Sequence, residues 1–177
     1  KKNKMIKVNF NKKLIVGSAN FTQKYGADVI RINQNEIKKI LNFAKKNQIN
    51  KIDVAEDYFN KKDIFKNIDK SFQIMTKIIP DHKWTSLDYC QKKLDKHFKS
   101  FNGNKIQSLL FHDYKILLNN EGLKIYKNLE NLKKKNYFKN IGLSIYDTKP
   151  LEYLISNYNF DVVQCPFNIL DKRIIHS

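Results

Sequence analysis

Asp53, Tyr58, Lys77 and His112 are side chains of the types needed to deliver a proton to an oxygen atom. A tyrosine hydroxyl, with an ordinary pKa of about 10, is a poor proton donor and acceptor at neutral pH, but an adjacent ammonium lowers that value by stabilising the phenolate. Lys77 could supply the ammonium. A carboxylate paired with the lysine would keep it charged and oriented in a partly desolvated site, and Asp53 suits that role. His112 could hydrogen-bond a carbonyl oxygen and aim it at the tyrosine. No side chain donates hydride, so a set that protonates an oxygen in this way implies a nicotinamide cofactor beside it. Taken singly, each residue has an ordinary explanation: a strand-end lysine, a satisfied loop histidine, a turn aspartate, a rim tyrosine. Their positions along the chain carry the argument.

Short runs rich in Ile, Val, Leu and Phe recur at Leu14–Ala19, Lys51–Ala55, Phe72–Ile78, Ile106–Phe111, Asn140–Ile145 and Phe160–Cys165, and read as buried strands. Between them, apolar residues fall at helical spacing: Ile37, Ile40, Leu41 and Ala44; Leu87, Cys90, Leu94, Phe98 and Phe101; Ile125, Leu129 and Leu132; Leu151, Leu154, Ile155 and Tyr158. Pro150 suits the first turn of a helix, and Asn102-Gly103-Asn104 is a loop or C-cap signal. The stretch Lys61–Lys70 has room for about two helical turns. Residues 5–16 could form an N-terminal hairpin around Asn11. No Pro/Gly/Ser-rich linker divides the chain, so residues 1–177 read as one domain.

Six strand-then-helix units in succession predict a parallel α/β fold, either a barrel or a doubly wound sheet. A doubly wound dinucleotide fold calls for a Gly-rich turn after the first strand, and Gly17-Ser18-Ala19-Asn20-Phe21 lacks G-x-G-x-x-G. The expected fold is therefore a (β/α)8 TIM-barrel type of which about six βα units are present. A complete barrel takes about 250 residues, which predicts that the last two βα units are absent.

Barrel enzymes hold their chemistry at the carboxyl ends of the strands. There, strand two carries Asp53 and leads to Tyr58, strand three ends near Lys77, strand four runs into His112, strand five offers Ser144, and strand six offers Gln164 with Asn168 beyond it. Alternation places Gln73, Met75 and Lys77 on one face of strand three, and Ile106, Ser108, Leu110 and His112 on one face of strand four. An unpartnered polar group inside an apolar run costs a few kcal/mol. Polar residues at the same end of five consecutive strands are thus hard to explain as coincidence.

The composition narrows the class. A net charge of +17 raises the question of a nucleic-acid or anionic-membrane surface. The excess is almost all Lys, with Arg only at 31 and 173, and the Lys pairs fall on the polar sides of expected helices, so solvated faces account for them and neither nucleic acid nor membrane is expected as a partner. No apolar run reaches the roughly 20 residues needed to cross a bilayer. Cys90 and Cys165 lie far apart and outside any C-x-x-C spacing, which suggests no disulfide framework and no metal site, and fits the cytoplasm.

At the residues that carry this chemistry the chain resembles the aldo/keto reductase family, over about Leu14 to Arg173. Val16-Gly17-Ser18-Ala19-Asn20-Phe21 resembles the family's first strand and cofactor-side turn. Lys51-Ile-Asp-Val-Ala-Glu-Asp-Tyr58 resembles its I-D-T-A-x-x-Y signature, Ile74-Met-Thr-Lys77 its T-K strand and Leu109-Leu-Phe-His-Asp113 its L-x-H-x strand. The resemblance implies that Asp53, Tyr58, Lys77 and His112 form a catalytic tetrad with Tyr58 as general acid. Ile141-Gly-Leu-Ser-Ile-Tyr146 and Val163-Gln-Cys-Pro-Phe-Asn168 resemble the strands whose Ser and Gln hold a nicotinamide carboxamide. It thereby implies cofactor contacts at Gly17, Ser18, Ser144, Gln164 and Asn168, with NADP(H) preferred to NAD(H). Phe59, Val54 and Ile145 depart from the family's usual Gly, Thr and Asn. The implied reaction is hydride transfer from NAD(P)H to an aldehyde or ketone. Other readings are a noncatalytic reductase-like module or inactive fragment, a barrel aldolase with Lys77 as Schiff-base lysine, and a lysine-rich nucleic-acid binder. Open barrel edges would also favour self-association.

Overall fold

The protein is described by a computed structural model covering residues 10–22, 32–55, 68–101 and 103–176. Six strands, β1 (Val16–Gly17), β2 (Lys51–Asp53), β3 (Gln73–Ile78), β4 (Ile106–Phe111), β5 (Asn140–Ser144) and β6 (Val162–Gln164), form one sheet. Each lies inside the apolar run expected for it. All five pairings are parallel, and spatial order follows chain order from β1 to β6. A doubly wound sheet would reverse direction part way, whereas the wall of a barrel does not.

The sheet is strongly curved. In a flat sheet β2 and β6 would stand four strand spacings apart, about 19 Å at roughly 4.8 Å each. Yet the Gln164 side chain of β6 donates to the Asp53 carboxylate of β2 at 3.2 Å across the concave face. The protein is a partial (β/α) barrel of the TIM type.

Helices α1 (Ala19–Thr22), α2 (Gln34–Lys46), α3 (Leu87–Ser100), α4 (Asn120–Lys134) and α5 (Leu151–Asn157) lie between successive strands. Local chemistry sets their ends. Asn33 and Glu36 form a reciprocal capping box at the start of α2, with Asn33 Oδ1 accepting from the Asn35 and Glu36 amides and Glu36 accepting from the Asn33 amide. Ser86 and Asn119 cap α3 and α4 with their side-chain oxygens. The turns after α2 and α4 pass through Gln48 and Asn136, both at φ 63° in the left-handed region. Short 3-10 turns at His82–Thr85 and Lys115–Leu118 went unforeseen; they bury Trp84 and Leu117.

The apolar stripes bury the convex face of the sheet. Ile52, Ile74, Phe72, Phe101, Ile37 and Ala44 form one cluster, and Ile78, Trp84, Leu94, Leu109, Phe111, Leu129, Leu132, Ile141 and Leu143 belong to a second. At about 25 cal/mol per Å2 of apolar surface removed from water, this face is the main force holding the sheet. Tyr158 and Tyr126 pack edge to face at 5.1 Å, and each donates its hydroxyl to a backbone carbonyl, of Leu117 at 2.6 Å and of Asn159 at 2.7 Å. Cys90 is buried beneath Trp84, donating to its carbonyl at 2.9 Å, and burial pushes its thiol up to about 11. Both cysteines are free.

One expectation about strand faces needs correction. Uniform alternation places Ile106 on the same face as Ser108 and Leu110. The β3–β4 register shifts at this point, with Ile74 opposite Ile106 but Met75 opposite Ser108, so that one extra residue of β4 is accommodated. Ile106 thereby joins the convex core while Ser108 keeps its place on the concave face. Residues 5–9 of the expected N-terminal hairpin, and residues 61–67 of the expected two-turn helix, lie outside the described residues; in the remainder of the hairpin range Phe10–Lys13 form a 3-10 turn and Val16 pairs in parallel with β2. Among the described residues no helix is long and apolar enough to cross a membrane.

Close approach makes a glycine necessary in β5. A Cβ on Gly142 would stand 2.6 Å from Val162 Cγ1, 2.8 Å from Leu110 Cγ and 2.8 Å from the Val162 carbonyl oxygen. The last contact is with backbone and cannot be relieved by a rotamer change. Gly142→Ala is expected to cost about 1 to 3 kcal/mol, as overpacking of a core does. Urea denaturation checks this, and unchanged stability would show that β5 and β6 can separate freely.

Candidate active site

The concave face differs from the convex one in kind. In-register neighbours lie on one face of a sheet, so Gly17, Asp53, Met75, Ser108 and Asn140 form one row, and Lys77, Leu110, Gly142 and Val162 form another. Ser144 and Gln164 stand side by side one step further toward the carboxyl end. Polar groups collect at that end, as the sequence predicts.

Asp53 is the centre of the arrangement. Its Oδ1 accepts from Lys77 Nζ at 2.5 Å, and its Oδ2 accepts from Gln164 Nε2 at 3.2 Å. Lys77 is 7% exposed, so its charge sits in a largely desolvated place with Asp53 as counter-ion. The carbonyl of Asp53 is held as well, accepting from Ser18 Oγ at 2.7 Å and from the Ser18 amide at 3.1 Å. Strand β2 ends there, and Ser18 fastens it to β1.

The Gln164 amide is oriented by this neighbour. A carboxylate only accepts hydrogen bonds, so the NH2 group must face Asp53 and the oxygen must point away. That oxygen, Gln164 Oε1, is buried and has no hydrogen-bond partner among the described residues. A buried acceptor left unsatisfied costs about 1 to 3 kcal/mol, which a ligand N–H would relieve.

His112 follows β4 directly, its amide donating to the Ile78 carbonyl at 2.9 Å. With the buried Ser144 it lines a cleft of about 480 Å3 together with Ile79, Tyr114, Tyr146 and Asp147. The cleft therefore lies over the ends of β3, β4 and β5. Neither Ile79, Tyr146 nor Asp147 stands out in the sequence, although each lies within three residues of a strand end, where a barrel places its mouth.

The other candidates are placed as follows. Gly17 is next to Asp53 in register, and a Cβ there would meet nothing within 4 Å, so packing does not require its glycine. The Ser18 hydroxyl is committed to Asp53, as described. Asn168 is exposed beyond β6, with Oδ1 accepting from the amides of Leu170 at 2.8 Å and Asp171 at 2.9 Å, and is not brought to the Asp53 cluster. Tyr58 lies outside the described residues.

A parallel sheet curved in chain order, with a part-buried ion pair and a cleft at its carboxyl end, is the wall of a (β/α) barrel. The aldo/keto reductase family model matches residues 13–176, and the chain belongs to that family. Solved structures share the fold at low identity. An aldo/keto reductase from Brucella melitensis is 19% identical with a TM-score of 0.63, over 92% of this chain and 63% of that one. An aldo-keto reductase from Bombyx mori, in complex with NADP, is 16% identical with a TM-score of 0.61, over 88% and 54%. A thermostable aldo-keto reductase with the inhibitor epalrestat is 20% identical with a TM-score of 0.66, over 89% and 59%. No curated protein matches the chain. The chain spans about three fifths of the length of the first solved structures it matches.

Removing Asp53 would strand a buried ammonium. Asp53→Ala is expected to destabilise the protein by about 3 kcal/mol, the range for breaking a buried pair, whereas Asp53→Leu combined with Lys77→Met should recover most of that loss. Denaturant titration of the two variants compares them; equal losses would show that the pair is not electrostatically coupled.

Proposed function

We propose that the carboxyl end of this barrel wall serves reduction of an aldehyde or ketone, with hydride from a nicotinamide cofactor and a proton from Tyr58. The observation that carries this reading is the orientation of Gln164, whose Nε2 is turned toward Asp53 while Oε1 stays buried without a partner among the described residues. The carboxamide of a nicotinamide offers an NH2 donor and a carbonyl acceptor. Gln164 Oε1 would accept from the first, and the Ser144 hydroxyl, adjacent in register, would donate to the second. The donor set of the chain thus fits the group. When bound, the cofactor supplies the hydride that no side chain can supply.

The protein's own residues do the proton chemistry in this reading. Lys77, held by Asp53, provides the positive charge that brings the Tyr58 phenol into a useful range. Tyr58 follows Asp53 by five residues on the segment leaving β2, so the chain can return it toward the same mouth. His112, in the cleft over β4, donates to the carbonyl oxygen and orients it toward the tyrosine. The oxygen then receives the Tyr58 proton as the carbonyl carbon is reduced. In this reading NADP(H) is the expected cofactor, by resemblance to the family, and the cytoplasm the expected location.

The activity belongs to the complete barrel. Among the described residues β1 and β6 are the edge strands of the sheet, and with the exposed Phe167, Ile169 and Leu170 beyond β6 they would favour self-association of this chain. The chain's coverage of its structural relatives supports a second reading, a reductase-like module that binds nucleotide without turnover.

Fluorescence titration with NADPH and NADH, on this chain and on a version extended by two further βα units, tests the proposal. Binding confined to the extended form is the expected result. In that form Tyr58→Phe should lower carbonyl reduction by about 10^2 to 10^4, the usual contribution of a general acid, with cofactor affinity unchanged. Cofactor binding without turnover would favour the noncatalytic module, and full activity in Tyr58→Phe would remove Tyr58 from the mechanism.

A further inference from the structure

The fold sorts the charges of this protein along the barrel axis. Helix amino ends lie at the carboxyl end of the sheet, and there the first turns or caps carry Glu36, Asp81, Asp88, Glu121 and Glu152. The opposite end is lysine-rich. Helix α2 ends on Lys45 and Lys46, and α3 has Lys99 in its last turn with Lys105 just before β4. Helix α4 ends on Lys133 and Lys134, Lys135 is its C-cap, and Lys139 immediately precedes β5.

Two carboxylates at this end are already matched. Asp69 is paired with Lys45 at 2.6 Å and Asp161 with Lys133 at 2.6 Å. Lys46, Lys99, Lys105, Lys134, Lys135 and Lys139 are all exposed and have no ion-pair partner among the described residues. Helix dipoles account for part of the pattern, since cations are favoured in a last turn by about 0.3 to 1 kcal/mol. Lys105 and Lys139 lie in loops beyond the helices, so the dipole does not account for them. The sequence alone distributes the lysines over solvated helix faces, whereas the structure gathers these six at one end.

We propose that the amino-terminal end of the barrel wall is a docking surface for the phosphate backbone of a nucleic acid. An array of lysines without arginine makes point-charge contacts with phosphates and lacks the flat fork that reads bases, so binding is independent of sequence. The loops 47–50, 103–105 and 135–139 expose no large apolar side chain, and the apolar residues exposed at this end, Leu14, Ile15 and Phe43, belong to the flank of β1 and α2, so the lysines before β4 and β5 stand in a polar surrounding suited to a polyanion. This surface lies at the end opposite the Asp53 cluster and does not depend on the reductase reading.

Fluorescence anisotropy with labelled single-stranded and duplex DNA, at about 50 and 200 mM salt, tests the proposal on the 177-residue chain. Two triple variants carry the same change in net charge: Lys105→Gln/Lys135→Gln/Lys139→Gln at the proposed surface, and Lys38→Gln/Lys96→Gln/Lys127→Gln elsewhere. The unaltered chain should bind unrelated DNA sequences alike, with affinity falling steeply with salt. The first triple should weaken binding at least about tenfold and reduce the salt slope by about 2 to 3, near 0.9 per lost phosphate contact, while the second changes affinity less than about threefold. Equal losses in both triples would overturn the proposal in favour of a bulk charge effect. Absence of binding at about 50 mM salt would also overturn it, as would retention by phosphatidylserine vesicles without binding to DNA.

Discussion

A single residue, through its carboxylate and its own carbonyl, ties four strands together at the mouth of this barrel wall. Asp53 ends β2, accepts from Lys77 of β3 and Gln164 of β6, and holds Ser18 beyond β1 through its own carbonyl. One of these bonds, from Gln164, depends on the curvature of the sheet and helps fix it, because β2 and β6 reach each other only when the sheet curls. A buried ion pair is weak evidence for net stability, since desolvation offsets much of the attraction. It is a strong constraint on geometry. Lys77 cannot leave without stranding Asp53, and Gln164 cannot rotate its amide without setting oxygen against oxygen.

The two faces of the sheet divide the work. The convex face is apolar and covered, so Ile52, Ile74, Leu109 and Ile141 supply the burial that holds strands of only three to six residues in register. The concave face can then carry groups that a core would not tolerate. Ser108 and Asn140 satisfy each other there at 3.2 Å, and Asp53, Lys77 and Gln164 form the network above them. A polar interior is expensive unless its members pair, and these do so through partners on different strands. Function-bearing chemistry therefore depends on a backbone held in place from the other side.

The strands were legible because a strand buried on its covered face reads as a short apolar run between turn signals, and Lys51, Phe72, Ile106 and Asn140 each open such a run at or next to an observed strand. The helices were legible from their stripes. Their starts at Asn33, Ser86 and Asn119 rest on caps that the apolar pattern alone does not mark. The bulge that moves Ile106 to the convex face was not legible, since it arises from the register of β4 against β3 and no local residue announces it. Of the candidate site, the pairing of Lys77 with Asp53 could be argued from residue types and strand ends. The contact of Gln164 with Asp53 could not, because it joins residues 111 apart through curvature that only the assembled sheet possesses.

The separation of charge along the axis follows from the same architecture. Every parallel βα unit points its helix the opposite way to its strand, so all helix amino ends gather at the mouth and all carboxyl ends at the base. Carboxylates are favoured at the first and ammonium groups at the second. Other lysines also lie at the mouth, Lys83 after β3 and Lys115 after β4 among them, but Lys77 differs from these in being buried and held by a carboxylate from the neighbouring strand. Its charge is thereby confined to the site. The unmatched lysines at the base project into solvent at the far end, where a polyanion could associate without entering the cleft beside His112 and Ser144. Screening over a Debye length of about 8 Å in physiological salt keeps the two ends electrostatically separate, so a charge change at the base would leave the proton chemistry at the mouth largely unaltered.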